Sequence, residues 1–162
     1  METLDAPAAH GRPARKTLWA VQDNGGEAQP FIFVLAGYGD AWVAQGLARA
    51  LLAQVIQPRV MQLRRLVIGE AGRFPELGRL FYESGPGRTI DTLAATFESL
   101  AARGTLRLQD PRLAAEHFNW LVMAAPLNRV MLCGDTELPA QADLDRYADA
   151  GTRAFLAAYG AN

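Results

Sequence analysis

The sequence contains a single cysteine, Cys133, and this scarcity excludes two common ways of holding a small protein together. One thiol can form neither an internal disulfide nor a cysteine-based zinc cluster, so we expect a reducing, cytoplasmic setting. No run of about 18 apolar residues is present, so no membrane-spanning helix is expected. The first residues also lack the charged-then-apolar layout of a signal peptide. A formal net charge of −1 is not the excess of positive charge that nucleic-acid-binding domains show.

Sequence signals for catalysis are equally scarce. The glycine-containing residues 85–87 follow no predicted strand and precede no lysine, so they do not form a phosphate-binding loop. His117 would need Glu116 or Cys133 as a partner, but Glu116 is its direct neighbour and Cys133 lies about four turns along the same predicted helix. We therefore predict no catalytic residue, no metal site and no cofactor, and a protein that is not an enzyme. Cys133 is interpreted as a small buried hydrophobe.

The sequence does have apolar residues at helical spacing from residue 38 onward. Helices are predicted over residues 41–57, 59–73, 75–84, 88–103, 111–133 and 141–159. Before them, residues 1–16 have the composition of a disordered segment, and the apolar run 31–36 fits either a strand or a helical turn. We predict an all-α fold with two parts, a disordered or atypical segment 1–37 and a helical domain 38–162.

Three predicted helices have an apolar face that can be named residue by residue. In 41–57, after Asp40 as N-cap, the face comprises Val43, Leu47, Ala50, Leu51 and Val55. In 59–73 it comprises Val60, Leu63, Leu66, Val67, Ala71 and Phe74. In 88–103, before Gly104 as a C-terminal stop, it comprises Ile90, Leu93, Ala94, Phe97, Leu100 and Ala101. Arg64, Arg65 and Glu70 are interpreted as solvated or locally paired, with contact to a polar effector as the alternative. Asp145 and Asp149 are interpreted as a solvated face.

The predicted helix 111–133 has the strongest start signal, because Asp110 can serve as N-cap and Pro111 can occupy the first helical position. Its apolar residues do not fit a single narrow stripe. A helix that is apolar most of the way round is buried on two sides. We therefore expect one face against its own core and the other against a partner chain, with a bend at Pro126.

Two motifs connect these helices with a known family. Residues 64–77 read RRLVIGEAGRFPEL, and residues 118–122 read FNWLV, followed by PLNR at 126–129. This pattern resembles the C-terminal regulatory domain of TetR/AcrR-type transcriptional repressors, particularly the AefR-like subgroup. The resemblance extends from about residue 38 to residue 159.

The resemblance implies a homodimer, in which two closing helices of each subunit form a four-helix bundle, and a pocket for a small apolar effector. The matching dimer helices are 111–133 and 141–159, with contacts expected at Leu113, Trp120, Leu127, Met131, Leu144, Gly151 and Phe155. By position, the pocket lining is expected to draw on Leu63, Val67, Phe74, Phe81, Phe97, Phe118 and Met123. Phenylalanines at helical spacing are also typical of a plain core, and the spacing favours that interpretation.

The resemblance does not extend to the N-terminus. The family normally begins with a helix-turn-helix that reads the major groove, but residues 17–37 show no such pattern and residues 24–26 (NGG) would break one. Arg12, Arg15 and Lys16 suit phosphate contacts but are too few for tight DNA binding at physiological salt. We expect a regulatory domain without sequence-specific DNA binding of its own, and heterodimer formation with a full-length relative. The alternatives are a complete repressor with an unorthodox or mis-annotated N-terminus, and a small helical ligand carrier or enzyme.

Overall fold

The computed structural model describes residues 40–134 and 138–161, which form six α-helices. These are α1 (Asp40–Val55), α2 (Pro58–Glu70), α3 (Pro75–Ser84), α4 (Pro86–Ala102), α5 (Pro111–Cys133) and α6 (Gln141–Tyr159). Within the described residues the only strand-like pairing is an isolated antiparallel bridge between Leu106 and Gly160. The predicted all-α fold is confirmed. The predictions for residues 1–37, including the basic residues Arg12, Arg15 and Lys16, lie outside the described residues, and the division at residues 37 and 38 stays a prediction.

Proline and aspartate set several of the helix starts. Proline occupies the beginning of α2, α3, α4 and α5, where its missing N–H costs no helical hydrogen bond and its fixed φ suits the helix. The Asp110 carboxylate caps α5 by accepting hydrogen bonds from the backbone N–H groups of Arg112 at 2.9 Å and Leu113 at 3.0 Å. Gly104, at φ 78°, follows α4 in a conformation that favours glycine. The predicted cap and stop are both confirmed.

The core is centred where α4, α5 and α6 meet, and three phenylalanine rings fill that junction. Phe97, Phe118 and Phe155 come from one helix each, and all three are fully buried. The Phe97 ring stacks on Phe155 with centroids 4.8 Å apart, and Phe118 meets both edge-on at 5.2 and 5.1 Å. Offset and edge-to-face pairs are the favoured arrangements of aromatic rings. This aromatic cluster therefore fixes the relative positions of the three longest helices.

Helix α1 packs on α6 through an apolar face and an ionic pair. The Arg49 guanidinium lies 2.8 Å from the Asp149 carboxylate and 3.4 Å from that of Asp145, and the Gln45 amide donates to Asp149 at 3.1 Å. The two aspartates are thus paired with α1 on a face that is still partly exposed to solvent, and the sequence analysis missed the pairing with Arg49. The buried face of α1 is also rotated from the predicted one, since Leu47, Ala50 and Val55 are only half-buried and the buried residues are Val43, Ala44, Ala48, Leu51 and Leu52.

Helices α5 and α6 approach each other most closely at a glycine. A Cβ placed on Gly151 would lie 2.9 Å from the Leu121 carbonyl oxygen and 2.9 Å from a methyl carbon of Val122. Both distances are shorter than ordinary van der Waals contact, and one of them involves backbone that cannot swing aside. The absence of a side chain at residue 151 therefore allows the two helix backbones to meet.

We expect Gly151→Ala to destabilise the chain by about 1–3 kcal/mol, because an added methyl forces the α5 and α6 backbones apart. The matched control is Gly46→Ala in α1, where an added Cβ meets nothing within 4 Å. This change should stabilise the chain by roughly 0.5–1 kcal/mol through helix propensity alone. Urea unfolding followed by circular dichroism measures both changes. Equal stabilisation of the two variants would show that the close approach at Gly151 does not exist.

Candidate functional site

Four of the helices close a ring. Helix α2 packs on α3 and on α5, α3 packs on α4, and α4 packs on α5. The seven predicted pocket residues all lie on this ring: Leu63 and Val67 on α2, Phe74 at the N-cap of α3, Phe81 on α3, Phe97 on α4, and Phe118 and Met123 on α5. The ring is therefore the candidate ligand site.

The structure divides these seven residues into three groups. Phe97 and Phe118 belong to the aromatic cluster and are fully occupied by contacts with other core rings. Val67 and Met123 are also buried, and Phe81 is half-buried. Leu63 and Phe74 are the most accessible, at 50% and 41% exposure. Phe97 and Phe118 therefore pack inside the subunit, and the pocket lining at Val67, Phe81 and Met123 stays a prediction.

The inward face of α2 differs from the predicted one. Leu63 and Leu66 are exposed, whereas Met61, absent from the predicted face, is fully buried together with Val67. The buried face runs Met61, Arg64, Val67, three residues apart each time. The charge of the middle residue concealed this face, because an apolar-periodicity search passes over an arginine.

The two arginines in the middle of α2 have different surroundings. The Arg65 guanidinium donates to the backbone carbonyl of Val130 on α5 at 3.1 Å, which ties the two helices together. Arg64 is half-buried, and desolvation lowers the pKa of its guanidinium below the usual value. Within residues 40–134 and 138–161 no hydrogen-bond or ion-pair partner faces Arg64. The ring thus contains an unpaired cation beside apolar side chains.

A second candidate surface lies on the outside of the α5–α6 pair. The helices run antiparallel, because His117 of α5 meets Tyr159 of α6 while Leu121 lies against Gly151. On α5, Leu113, Trp120 and Leu121 are exposed at a spacing of seven and eight residues. On α6, Ala150, Ala154 and Ala158 are exposed at a spacing of four residues. The helical phase puts both stripes on one side of the pair, and we call this side the α5–α6 face.

Only three of the seven residues predicted to contact a partner are exposed or half-buried in the subunit. Leu113 and Trp120 are exposed and Met131 is half-buried. The other four predicted residues are buried within the subunit itself: Leu127, Leu144, Gly151 and Phe155. Those four hold α5 and α6 to each other and to the core. Leu121 and the α6 alanines, which the sequence reasoning passed over, supply exposed surface in their place.

His117 has a partner that sequence reasoning missed. Its Nδ1 atom lies 2.5 Å from the Tyr159 hydroxyl, which joins the first half of α5 to the end of α6. Neither Glu116 nor Cys133 takes that position. Cys133 is exposed, so its interpretation as a buried hydrophobe was wrong. In the part of the chain that the structure describes, no cluster of three histidine, cysteine or carboxylate side chains is arranged to hold a metal ion.

The family profile of the AefR-like transcriptional repressor C-terminal domain matches residues 44–161. The match covers α2 to α6 completely and leaves out only the first turn of α1. The chain belongs to this branch of the TetR family. The resemblance carried by residues 64–77 and 118–129 is thereby confirmed.

Solved structures of TetR-family regulators agree with this assignment. A TetR-family transcriptional regulator from Mesorhizobium loti is 39% identical, with a TM-score of 0.73 over 76% of this chain and 61% of the other. A TetR regulator from Agrobacterium tumefaciens is 28% identical, with a TM-score of 0.65 over 75% and 61%. The flavonoid-responsive regulator FrrA is 29% identical, with a TM-score of 0.56 over 74% and 72%.

The match to these proteins is partial. The chain spans about three fifths of the length of the first two structures. No curated protein matches the sequence. In the described residues of this TetR-family chain, no helix is both long and apolar enough to cross a membrane.

Proposed function

We propose that this chain is the dimerisation and effector-binding domain of a TetR-family transcriptional regulator. The single observation that carries the proposal is the α5–α6 face, on which the Trp120 ring lies half-exposed between Leu113 and Leu121. An exposed tryptophan with apolar neighbours is typical of a protein contact surface. Helices α5 and α6 of two copies would pack there as a four-helix bundle with small alanines at the α6 contacts.

The effector would bind inside the ring of α2, α3, α4 and α5. Accessible apolar side chains support this site, because α3 has no fully buried residue although it contributes Leu77, Leu80 and Phe81. One related structure is that of a flavonoid-responsive regulator, which supports response to a small molecule by a domain of this shape. We propose a small, largely apolar effector and no catalytic activity.

Light scattering and ligand fluorescence on the purified chain test the two halves of the proposal separately. Light scattering over a concentration series should give twice the chain mass of 17.6 kDa. Nile red, a neutral apolar fluorophore, should bind saturably with about one site per subunit. A monomer at every concentration contradicts the dimer, and non-saturable fluorescence contradicts the pocket.

Heterodimer formation with a full-length relative is a second proposal, and the same α5–α6 face supports it. A face made of leucine, tryptophan and alanine carries little charge to discriminate between a second copy and a close homologue. Sequence-specific DNA binding would then come from the relative's helix-turn-helix domain. Co-expression of the tagged chain with an intact TetR-family paralogue tests the idea, and recovery of only unmixed dimers would contradict it.

A further inference from the structure

Arg64 occupies the middle of the inward face of α2. It lies one turn after Met61, which is fully buried, and one turn before Val67, which is 5% exposed. Residues three and four apart share one side of a helix, so the arginine stem is held between two core side chains. Val60 and Ala71, on the same side of the helix, are half-buried. The stem of Arg64 therefore leaves α2 on its buried side, and the residue as a whole is half-buried.

The position of Arg64 along the ring can be read from its neighbours. Arg65 marks the side of α2 that meets α5, through the Val130 carbonyl. Ala71 marks the side that meets α3, since the Cβ of Ala71 lies 3.4 Å from the place a Cβ on Gly78 would take. Helical phase puts Arg64 close to the direction of Ala71 and about a quarter turn from that of Arg65, so its side chain leaves α2 on the side that faces α3.

An unpaired guanidinium in such a place is costly for the free protein. A cation that is partly withdrawn from water loses part of its hydration, and a partner of opposite charge or a set of acceptors restores it. Arg65 has the Val130 carbonyl as an acceptor, whereas Arg64 has no partner among the described residues. Its lowered pKa has the same cause, desolvation by burial. A folded pKa below the unfolded value means that folding disfavours the charged form, and this cost is present throughout neutral pH.

We infer that Arg64 binds the negatively charged group of the effector, which makes the ligand of this domain an organic anion with an apolar body, such as a carboxylic acid. A guanidinium can grip a carboxylate through two parallel N–H···O hydrogen bonds. The apolar body would lie along Val67 and Met123 and toward the accessible side chains of α3. The inference rests on the proposed effector-binding function and adds the charge of the ligand to it.

Matched acid and alcohol probes test the inference. Octanoate and 1-octanol share an aliphatic body, and 2-naphthoate and 2-naphthalenemethanol share an aromatic one. The affinity of each probe is measured by its displacement of Nile red from the purified full chain in a fluorescence titration. In the wild type the acid of at least one pair should bind roughly ten- to a hundredfold more tightly than its alcohol, as expected for a hydrogen bond to a charged group. Arg64→Met should abolish this preference while leaving alcohol affinity unchanged or higher, and Arg64→Lys should keep part of it.

Arg59→Met is the matched control, because Arg59 lies on the exposed, opposite side of the same helix. It removes the same charge and should retain the wild-type preference for acids. A general electrostatic attraction would instead weaken equally in both variants, and that result overturns the inference. Acids and alcohols that bind equally well to the wild type also overturn it, while leaving the pocket itself in place. Failure of Nile red and all four probes to bind would remove the proposed effector site and this inference together.

Thermal unfolding without ligand gives an independent readout. Arg64→Met should raise the melting temperature by roughly 2–4 °C, because methionine keeps the apolar stem of the side chain without the charge. Octanoate or 2-naphthoate should then raise the melting temperature of the wild type more than that of the variant. A purely structural arginine predicts the opposite, a variant less stable than the wild type at every ligand concentration, and that outcome would refute the assignment.

Discussion

Replacing Phe97 with alanine is expected to lower the free energy of unfolding by about 3–5 kcal/mol. Phe97 is fully buried and contacts both other rings of the aromatic cluster, at centroid distances of 4.8 and 5.2 Å. Truncation removes apolar burial and leaves a cavity where α4, α5 and α6 meet, and helices held at three sides cannot collapse to fill it. For a single domain of ordinary stability this loss is a large share of the total.

Two controls distinguish a phenylalanine that belongs to the core from one that lines a pocket. Phe97→Leu keeps most of the volume and should cost less than about 1.5 kcal/mol. Phe81→Ala makes the same truncation at a half-buried residue of α3, so it should cost far less stability and should change Nile red affinity instead. Urea unfolding and the fluorescence titration measure the two effects. A Phe97→Ala variant within about 1 kcal/mol of the wild type would mean that this ring lines an open site and that the cluster is not the core.

Helix positions were predictable from the sequence because local chemistry sets them. Proline opens four helices, Asp110 caps α5 and Gly104 ends α4, and each acts within a turn of its own residue. The predicted bounds of the last two helices coincide with those of α5 and α6. The motifs at residues 64–77 and 118–129 identified the family for the same reason, since they are short continuous runs.

Helix faces were harder to predict, because apolar periodicity shows that a side is buried but not what covers it. Phe97 and Phe118 have the same spacing whether they contact other rings or a ligand. In α5, which is apolar on two sides, nothing local says that Leu127 packs inside the subunit while Trp120 remains exposed. The inward face of α2 was missed because its central residue, Arg64, is charged.

Contacts between distant residues were not predictable at all. Arg49 finds Asp145 and Asp149 about 100 residues away, and His117 finds Tyr159 on the next helix. Such pairs depend on how α1 and α5 dock on α6, and that docking is decided by the whole core. A single sequence without relatives contains no signal for either pair, so neither pair was predicted.

Trp120→Glu should convert the proposed homodimer into a monomer, with a dissociation constant raised at least roughly a hundredfold. In the subunit Trp120 is half-exposed and flanked by exposed Leu113 and Leu121, so its ring is free to enter a partner. Glutamate would remove that apolar contact and place an unpaired carboxylate in the middle of the α5–α6 face of both copies. Two such charges, related by the dimer axis, would also repel each other. The subunit fold should be retained, because Trp120 is half-exposed and is not one of the buried core residues.

The matched control is Leu80→Glu on α3, which introduces the same charge at a leucine that is 64% exposed and lies away from the α5–α6 face. Light scattering on both variants over the same concentration series distinguishes the surfaces, and far-UV circular dichroism verifies the helix content. We expect Leu80→Glu to remain dimeric and Trp120→Glu to have the mass of one chain. The reverse result would place the dimer contact on α2 and α3, whose leucines are also exposed. A second copy would then cover the outer side of α2 and α3 and not the α5–α6 face, so that dimerisation and the proposed effector site would share two helices.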